Sequence, residues 1–235
     1  MTDMILSFAL AAIPAILAIT LHEAAHGYAA WALGDQTARR MGRLSLNPLA
    51  HVDRVGTILL PGFLLISQLL TVGRVEFMFG WAKPVPVNAS VFKDPRRGMM
   101  IVAAAGPAMN FLLAWLAGLA LHGVDLLPQS TGDVAQQFLF YFILTNLVLA
   151  LFNLLPIPPL DGGRIAVGLL PLELARRWAK LERAGILIVL LLLFLVPQLS
   201  QSLGYRIDPV HDALGAILPA AMRWVLILSG HDAGA

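Results

Sequence analysis

Four stretches without a single charged side chain, Met4–Leu21, Gly98–Leu121, Val134–Leu160 and Gly185–Leu203, constrain this chain more than any other feature. Each reaches the roughly 18–20 residues that a helix needs to cross a hydrocarbon layer of ~30 Å. Backbone donors and acceptors inside that layer must be satisfied within the protein, which makes runs of this length helices. Composition supports the same reading: 58% of the residues are hydrophobic and 13% charged, against roughly 45–50% and about 25% in soluble domains. Charge is too scarce to cover a water-facing surface. Two further runs are weaker. Val55–Gly73 is broken by Pro61-Gly62 and carries Ser67 and Gln68, and the stretch 207–229 is interrupted by Asp208, His211, Asp212 and Arg223. The expectation is an all-α polytopic membrane protein with about four to six transmembrane helices, forming one membrane-embedded domain over 1–235. Its core is expected at about 4–183, with accessory C-terminal helices over 184–235 and no appended soluble module.

Basic residues set the expected orientation, since Lys and Arg accumulate in cytoplasmic loops. Nine of the sixteen lie in 34–97 (Arg39, Arg40, Arg43, Arg54, Arg74, Lys83, Lys93, Arg96 and Arg97) and five more in 156–183, whereas 122–133 has none. Both rich segments are therefore expected in the cytoplasm and the N-terminus outside. Asp3 stands where a signal peptide would carry basic residues, so the first run reads as a retained helix. If both ends of 34–97 lie on one side, Val55–Gly73 cannot cross once. It is expected to be re-entrant or interfacial, as its Pro-Gly break suits. In 84–91, Val85, Val87, Ala89 and Val91 alternate with proline and polar residues, the pattern of a short membrane-associated β element at an edge. The net charge of +2 gives no reason to expect a nucleic-acid partner.

The chemistry-bearing residues begin at the end of the first run. His22-Glu23-Ala24-Ala25-His26 puts two imidazoles on one helix face, four residues apart, with a carboxylate beside them. In a zinc peptidase, this spacing lets both rings bind one Zn²⁺ while the carboxylate takes a proton from water activated by the ion. A five-residue pattern also arises by chance as a solvated charged face. Here it sits at the end of an apolar run, where ionisable groups are costly and mark function. From Met4, His22 lies ~27 Å along a helix at 1.5 Å per residue, near the cytoplasmic end of the hydrocarbon. The chain contains no cysteine, so any metal must be held by His, Asp or Glu.

A catalytic zinc usually takes three protein ligands. Asp161 is a candidate for the third. It follows three prolines that end a helix and precedes Gly162-Gly163, which permits close backbone approach. It could equally cap the next segment. His51, in the Arg-rich loop, is a rival ligand or a gate. Asn110 and Asn153, amides inside apolar runs, are candidates for substrate binding or oxyanion stabilisation, and equally for interhelix hydrogen bonds.

Together these residues resemble the site-2 protease family of intramembrane zinc metalloproteases, peptidase family M50. That family's signature pairs the His-Glu-x-x-His motif with a downstream Asn-x-x-Pro-x-Pro-Pro-Leu-Asp-Gly, present here at 22–26 and 153–162. The similarity extends to Gly106-Pro107-Ala108-Met109-Asn110, to the segment 42–51 ending in Asn47-Pro48-Leu49-Ala50-His51, and to 79–88, which includes Lys83-Pro84-Val85-Pro86-Val87-Asn88. The resemblance implies one Zn²⁺ held by His22, His26 and Asp161, with Glu23 as general base. It also implies hydrolysis of peptide bonds in or near transmembrane segments of membrane-protein substrates, in a prokaryotic cytoplasmic membrane with the active site toward the cytoplasm. The substrate segment must unwind before water can attack, and 84–91 could clamp it by edge pairing. No regulatory partner or homodimer is specified. The alternatives are a membrane-anchored zinc peptidase using a later glutamate, for which Glu76, Glu173 and Glu182 lack helical ligand spacing, and a non-catalytic metal-binding or transport protein, which should spread ionisable residues across the membrane depth.

Overall fold

The computed structural model describes residues 2–71, 73–74 and 80–231. Its helices are α1 (Thr2–Ala32), α2 (Thr37–Arg40), α3 (Leu60–Thr71), α4 (Pro95–Leu121), α5 (Gln129–Leu154), α6 (Asp161–Leu169), α7 (Leu172–Lys180), α8 (Gly185–Leu190), α9 (Val196–Ser202) and α10 (Pro209–Leu228). All four uncharged runs form helices, the third as far as Leu154. The two weaker ones are also largely helical, so that the described residues contain six helical stretches long and apolar enough to span a membrane, among them Arg54–Thr71 and Pro209–Leu228. The protein is an all-α, multi-pass integral membrane protein. Asp208, which interrupts the apolar pattern, starts a helix: its carboxylate accepts from the His211 N–H, and Pro209 follows in the first turn. Asp94 does the same for α4, accepting from the Arg96 and Arg97 N–H groups ahead of Pro95.

The centre of the bundle is α1, α4 and α5. His26 of α1 meets Val102 of α4, and Ala18 meets Asn110, so the two helices run antiparallel. The short connection from α4 to α5 then brings α5 back parallel to α1. Small side chains allow this close packing, which in lipid rests on van der Waals contact more than on the hydrophobic effect. Ala114 and Ala117 of α4 pack with Ile143 and Leu147 of α5 and Val225 of α10. At Gly118 a Cβ would lie 2.6 Å from Ser229 Oγ, so α10 could not seat against α4 with a larger residue there.

Because α4 starts at the end of the bundle where α1 finishes, the chain between them begins and ends at one level. The contacts show how it does so. Trp81 N–H donates to the Gly56 carbonyl (3.1 Å), so by Trp81 the chain has returned to where it was at Gly56. Both flanks of that contact need glycine: a Cβ on Gly56 would lie 2.4 Å from the Trp81 ring, and one on Gly80 2.4 Å from the Gly56 oxygen. Within this excursion α3 has no buried residue.

The expected β element does not form. Among the described residues, 80–88 is extended but belongs to no ladder, and Ala89–Val91 is a 3-10 turn. Pro84 and Pro86 remove two donors, and the others bond elsewhere: Lys83 N–H to the His51 carbonyl (2.8 Å), Val85 N–H to Glu23, and Asn88 N–H to Asp35. Residues 75–79 lie outside the described residues.

Candidate active site

Two helices supply the ionisable groups of the site. His22, Glu23 and His26 come from one and a bit turns of α1, and their ligand atoms all lie within 4.8 Å of one another. Asp161 comes from the first residue of α6, where the chain doubles back after α5. That reversal depends on the glycine pair. A Cβ on Gly162 would sit 2.2 Å from the Leu154 oxygen, and one on Gly163 2.6 Å from the Pro158 nitrogen. Any other residue would push α6 off the end of α5 and carry the carboxylate away. Leu160 occupies the N-cap position and no side chain caps this end, so the Asp161 carboxylate is free to point at the histidines.

The convergence is close. Asp161 Oδ2 lies 3.1 Å from His22 Nε2 and 3.3 Å from His26 Nε2, and the two Nε2 atoms are 3.1 Å apart. His22 is 4% exposed and Asp161 7%. On the far side of each ring, Nδ1 faces an acceptor: Asn110 Oδ1 for His22 (2.5 Å) and the Val102 carbonyl for His26 (2.7 Å). Each Nδ1 therefore donates, and a neutral ring turns a bare Nε2 inward. Two lone pairs then face a carboxylate oxygen that is buried without a hydrogen-bond partner. Three acceptors in contact call for a cation. Donor atoms arranged tetrahedrally at the ~2.0–2.1 Å of zinc–nitrogen and zinc–oxygen bonds would stand roughly 3.3 Å apart, so the triangle fits such an ion. His₂Asp chemistry suits zinc and does not exclude cobalt or nickel.

Gly106 of α4 forms the floor. A Cβ there would lie 2.5 Å from His26 Cε1 and 2.6 Å from both Cε1 and Nε2 of His22. No side chain fits between α4 and the two rings.

The site opens into a cavity of about 410 Å³ whose wall includes Glu23, Asn153, Arg164, Trp81 and Val85. Its other boundary is the segment 80–88, tied by the main-chain bonds of Trp81 and Lys83 to the Gly56 and His51 carbonyls and by side chains at further points. Arg43 grips it ahead of Val85, donating to the Lys83 and Pro84 carbonyls (2.8 and 3.3 Å) and to the Ala50 carbonyl. In the middle, Val85 N–H donates to Glu23 Oε2 at 3.1 Å. At the far end Asn88 N–H donates to Asp35 Oδ2 at 2.7 Å, while the Thr37 hydroxyl and N–H occupy Asp35 Oδ1. Burial alone would raise the Asp35 carboxyl above the usual range. These hydrogen bonds and the nearby Arg40 charge outweigh it and hold the group below its ordinary value.

The structure brings His22, Glu23, His26 and Asp161 together and puts Asn153 in the cavity wall, its Nδ2 donating to the Leu149 carbonyl (2.9 Å). Asn110 is fully buried behind His22, on the side away from the cavity. His51 is buried, with Nε2 2.9 Å from the Ser45 carbonyl, and does not line the cavity. Sequence reasoning passed over Arg43, Asp35 and Asn146, which is fully buried and bonded to Asn110. Asn146 carried a signal: it lies seven residues, two helical turns, before Asn153, inside an apolar run where an amide needs a partner.

Known proteins of similar sequence identify the family. The profile of Peptidase family M50 matches residues 124–196. "Putative zinc metalloprotease YwhC" of Bacillus subtilis (strain 168) is 40% identical over 217 residues, covering 90% of this chain and 91% of the relative. "Putative zinc metalloprotease Rip2" of Mycolicibacterium smegmatis is 34% identical over 194 residues, covering 79% of this chain and 66% of the relative. The protein of the same name from Mycobacterium tuberculosis (strain ATCC 25618 / H37Rv) is 31% identical over 189 residues, with the same coverage. No solved structure matches. With one relative similar along nine-tenths of both chains, this chain belongs to the metalloproteases of peptidase family M50.

Proposed function

We propose that this protein is an intramembrane zinc endopeptidase that cuts membrane proteins in or near their transmembrane segments, with His22, His26 and Asp161 as ligands to one zinc and Glu23 as general base. The observation that carries this reading is the meeting of three inward-facing acceptors, from helices distant in sequence, beside a fourth ionisable group at a cavity edge. When bound, zinc supplies Lewis acidity, polarising the scissile carbonyl and acidifying water.

The remaining chemistry belongs to the chain. Glu23 lines the cavity, where its carboxylate can take the proton of the attacking water and return it to the departing amine. Its Oε2 is already aimed by the Val85 N–H, which leaves Oε1 for proton transfer. Asn153, whose Nδ2 is turned to its own helix, presents an amide oxygen suited to a backbone N–H of an unwound substrate. The Arg-rich segments 34–97 and 156–183 orient the site toward the cytoplasm, and bacterial relatives support a prokaryotic cytoplasmic membrane. The substrate arrives from the bilayer and water from the cytoplasmic side.

The test is Glu23→Gln in protein purified in detergent and assayed with a co-expressed single-span membrane protein. Zinc content should match wild type while cleavage disappears. Cleavage that survives the substitution would overturn the assignment, and metal transport that survives it would favour a carrier.

A further inference from the structure

The two histidines are oriented by different means, and the difference exposes a residue with no assigned role. His26 donates from Nδ1 directly to a main-chain carbonyl, that of Val102, which can only accept. His22 donates to the Asn110 side chain. An amide has two faces: were Asn110 turned over, its NH₂ would face the ring, and the His22 proton would have to move to Nε2, facing the other donors. Something must fix which way Asn110 points.

We infer, resting on the zinc reading above, that Asn146 is a positioning residue for His22, acting through Asn110. Asn110 Nδ2 donates to Asn146 Oδ1 at 2.8 Å and reaches the Ala18 carbonyl at 3.3 Å. Asn146 is fixed in turn, because its own Nδ2 donates to the Phe142 carbonyl at 2.8 Å. Polarity therefore propagates from an atom that cannot reverse. The Phe142 carbonyl accepts, so Asn146 turns its oxygen to Asn110. Asn110 then turns its oxygen to His22, which carries its proton on Nδ1 and presents a bare Nε2 to the site. The two amides are each 0% exposed, so their partners are the groups packed against them. The relay crosses three helices, α5 to α4 to α1, and selects the tautomer that binds metal.

The test uses the full-length protein in detergent, stripped with a chelator. Zinc affinity is read by competition with a chromophoric chelator, and thermal unfolding of the metal-free protein is followed alongside. Asn146→Leu, similar in size but without hydrogen-bonding groups, should weaken zinc binding by roughly 10- to 100-fold. Asn146→Asp, as the neutral acid, reproduces both bonds and should bind zinc like wild type. Asn110→Leu should weaken binding at least as much as Asn146→Leu, and the double variant no more than Asn110→Leu alone, because the second residue acts only through the first. Should the leucine variant fail to fold, Asn146→Ala carries the same expectation.

Asn146→Leu with wild-type zinc affinity would overturn the inference. So would losses that add in the double variant, or a lower unfolding temperature with affinity unchanged, which would mark a packing role. Failure of the zinc reading is a separate result: wild-type protein that takes up no stoichiometric zinc.

Discussion

The site has two walls built on opposite principles. The inner wall, where α1, α4 and α5 meet, is made of small residues and buried amides: Gly106 under the rings, Asn110 and Asn146 behind them, and no exposed surface on either amide. The outer wall, segment 80–88, is irregular backbone held by charged side chains, Arg43 and Asp35, that reach it from the loop after α1. On the proposed zinc reading, one wall would hold the ligand geometry from behind, among fully buried amides, and the other would hold the neighbour of Glu23 at the cavity. Where the backbone forms no ladder of its own, side-chain charge adds to the few main-chain bonds that hold it.

Damage to the inner wall should be severe and should register first in the metal. Asp161→Ala removes one of three donors and should abolish stoichiometric zinc, measured by metal analysis of purified protein, together with all cleavage. Gly106→Ala should follow. Its methyl group would meet both imidazoles at 2.5–2.6 Å, and a ring displaced by about 1 Å costs on the order of 10²-fold in rate. The check is kcat on a membrane substrate, with circular dichroism showing the helices intact.

Damage to the outer wall should leave zinc in place. Arg43→Ala should lower unfolding stability by about 1.5 kcal/mol, the scale of a hydrogen bond to a charged group, and expose 80–88 to added protease without altering metal content. Loss of zinc in this variant would show that the walls are not independent. The smallest effect concerns pH. Asp35 titrates below its ordinary value when folded, so its anchoring is fully present above the ordinary carboxylate range, near pH ~4. It is lost as pH falls through the lower, folded value. Asp35→Asn should therefore flatten the pH dependence of protease protection at 80–88 in that acid range and change little at neutral pH.

The same contrast explains what could be read from the sequence. Helices were legible because an apolar run of sufficient length has one solution in a bilayer, and the pairing of His22 with His26 because helical spacing is local. Gly106 was legible as part of a motif, but its function as a floor depends on α1 lying antiparallel across it. Asn146 looked like any amide in a span until Asn110 stood opposite. The alternating valines of 84–91 suggested a strand, yet a strand exists only with a partner, and here the donors go to Glu23, His51 and Asp35. Asp35 and Arg43 read as ordinary loop charges, since nothing local reveals that their hydrogen bonds are made some fifty and forty residues away.

The closure of the chain on itself at Gly56 and Trp81 has a bearing on how such a protein can vary. A path that ends where it began contributes no net displacement, whatever its length. Residues inserted into or trimmed from the interval would leave Val85 the same distance from Glu23, because the neck of the detour fixes that position and its contents do not. The interval is thus an interchangeable attachment, whose length can change while the residues around Glu23 stay in register.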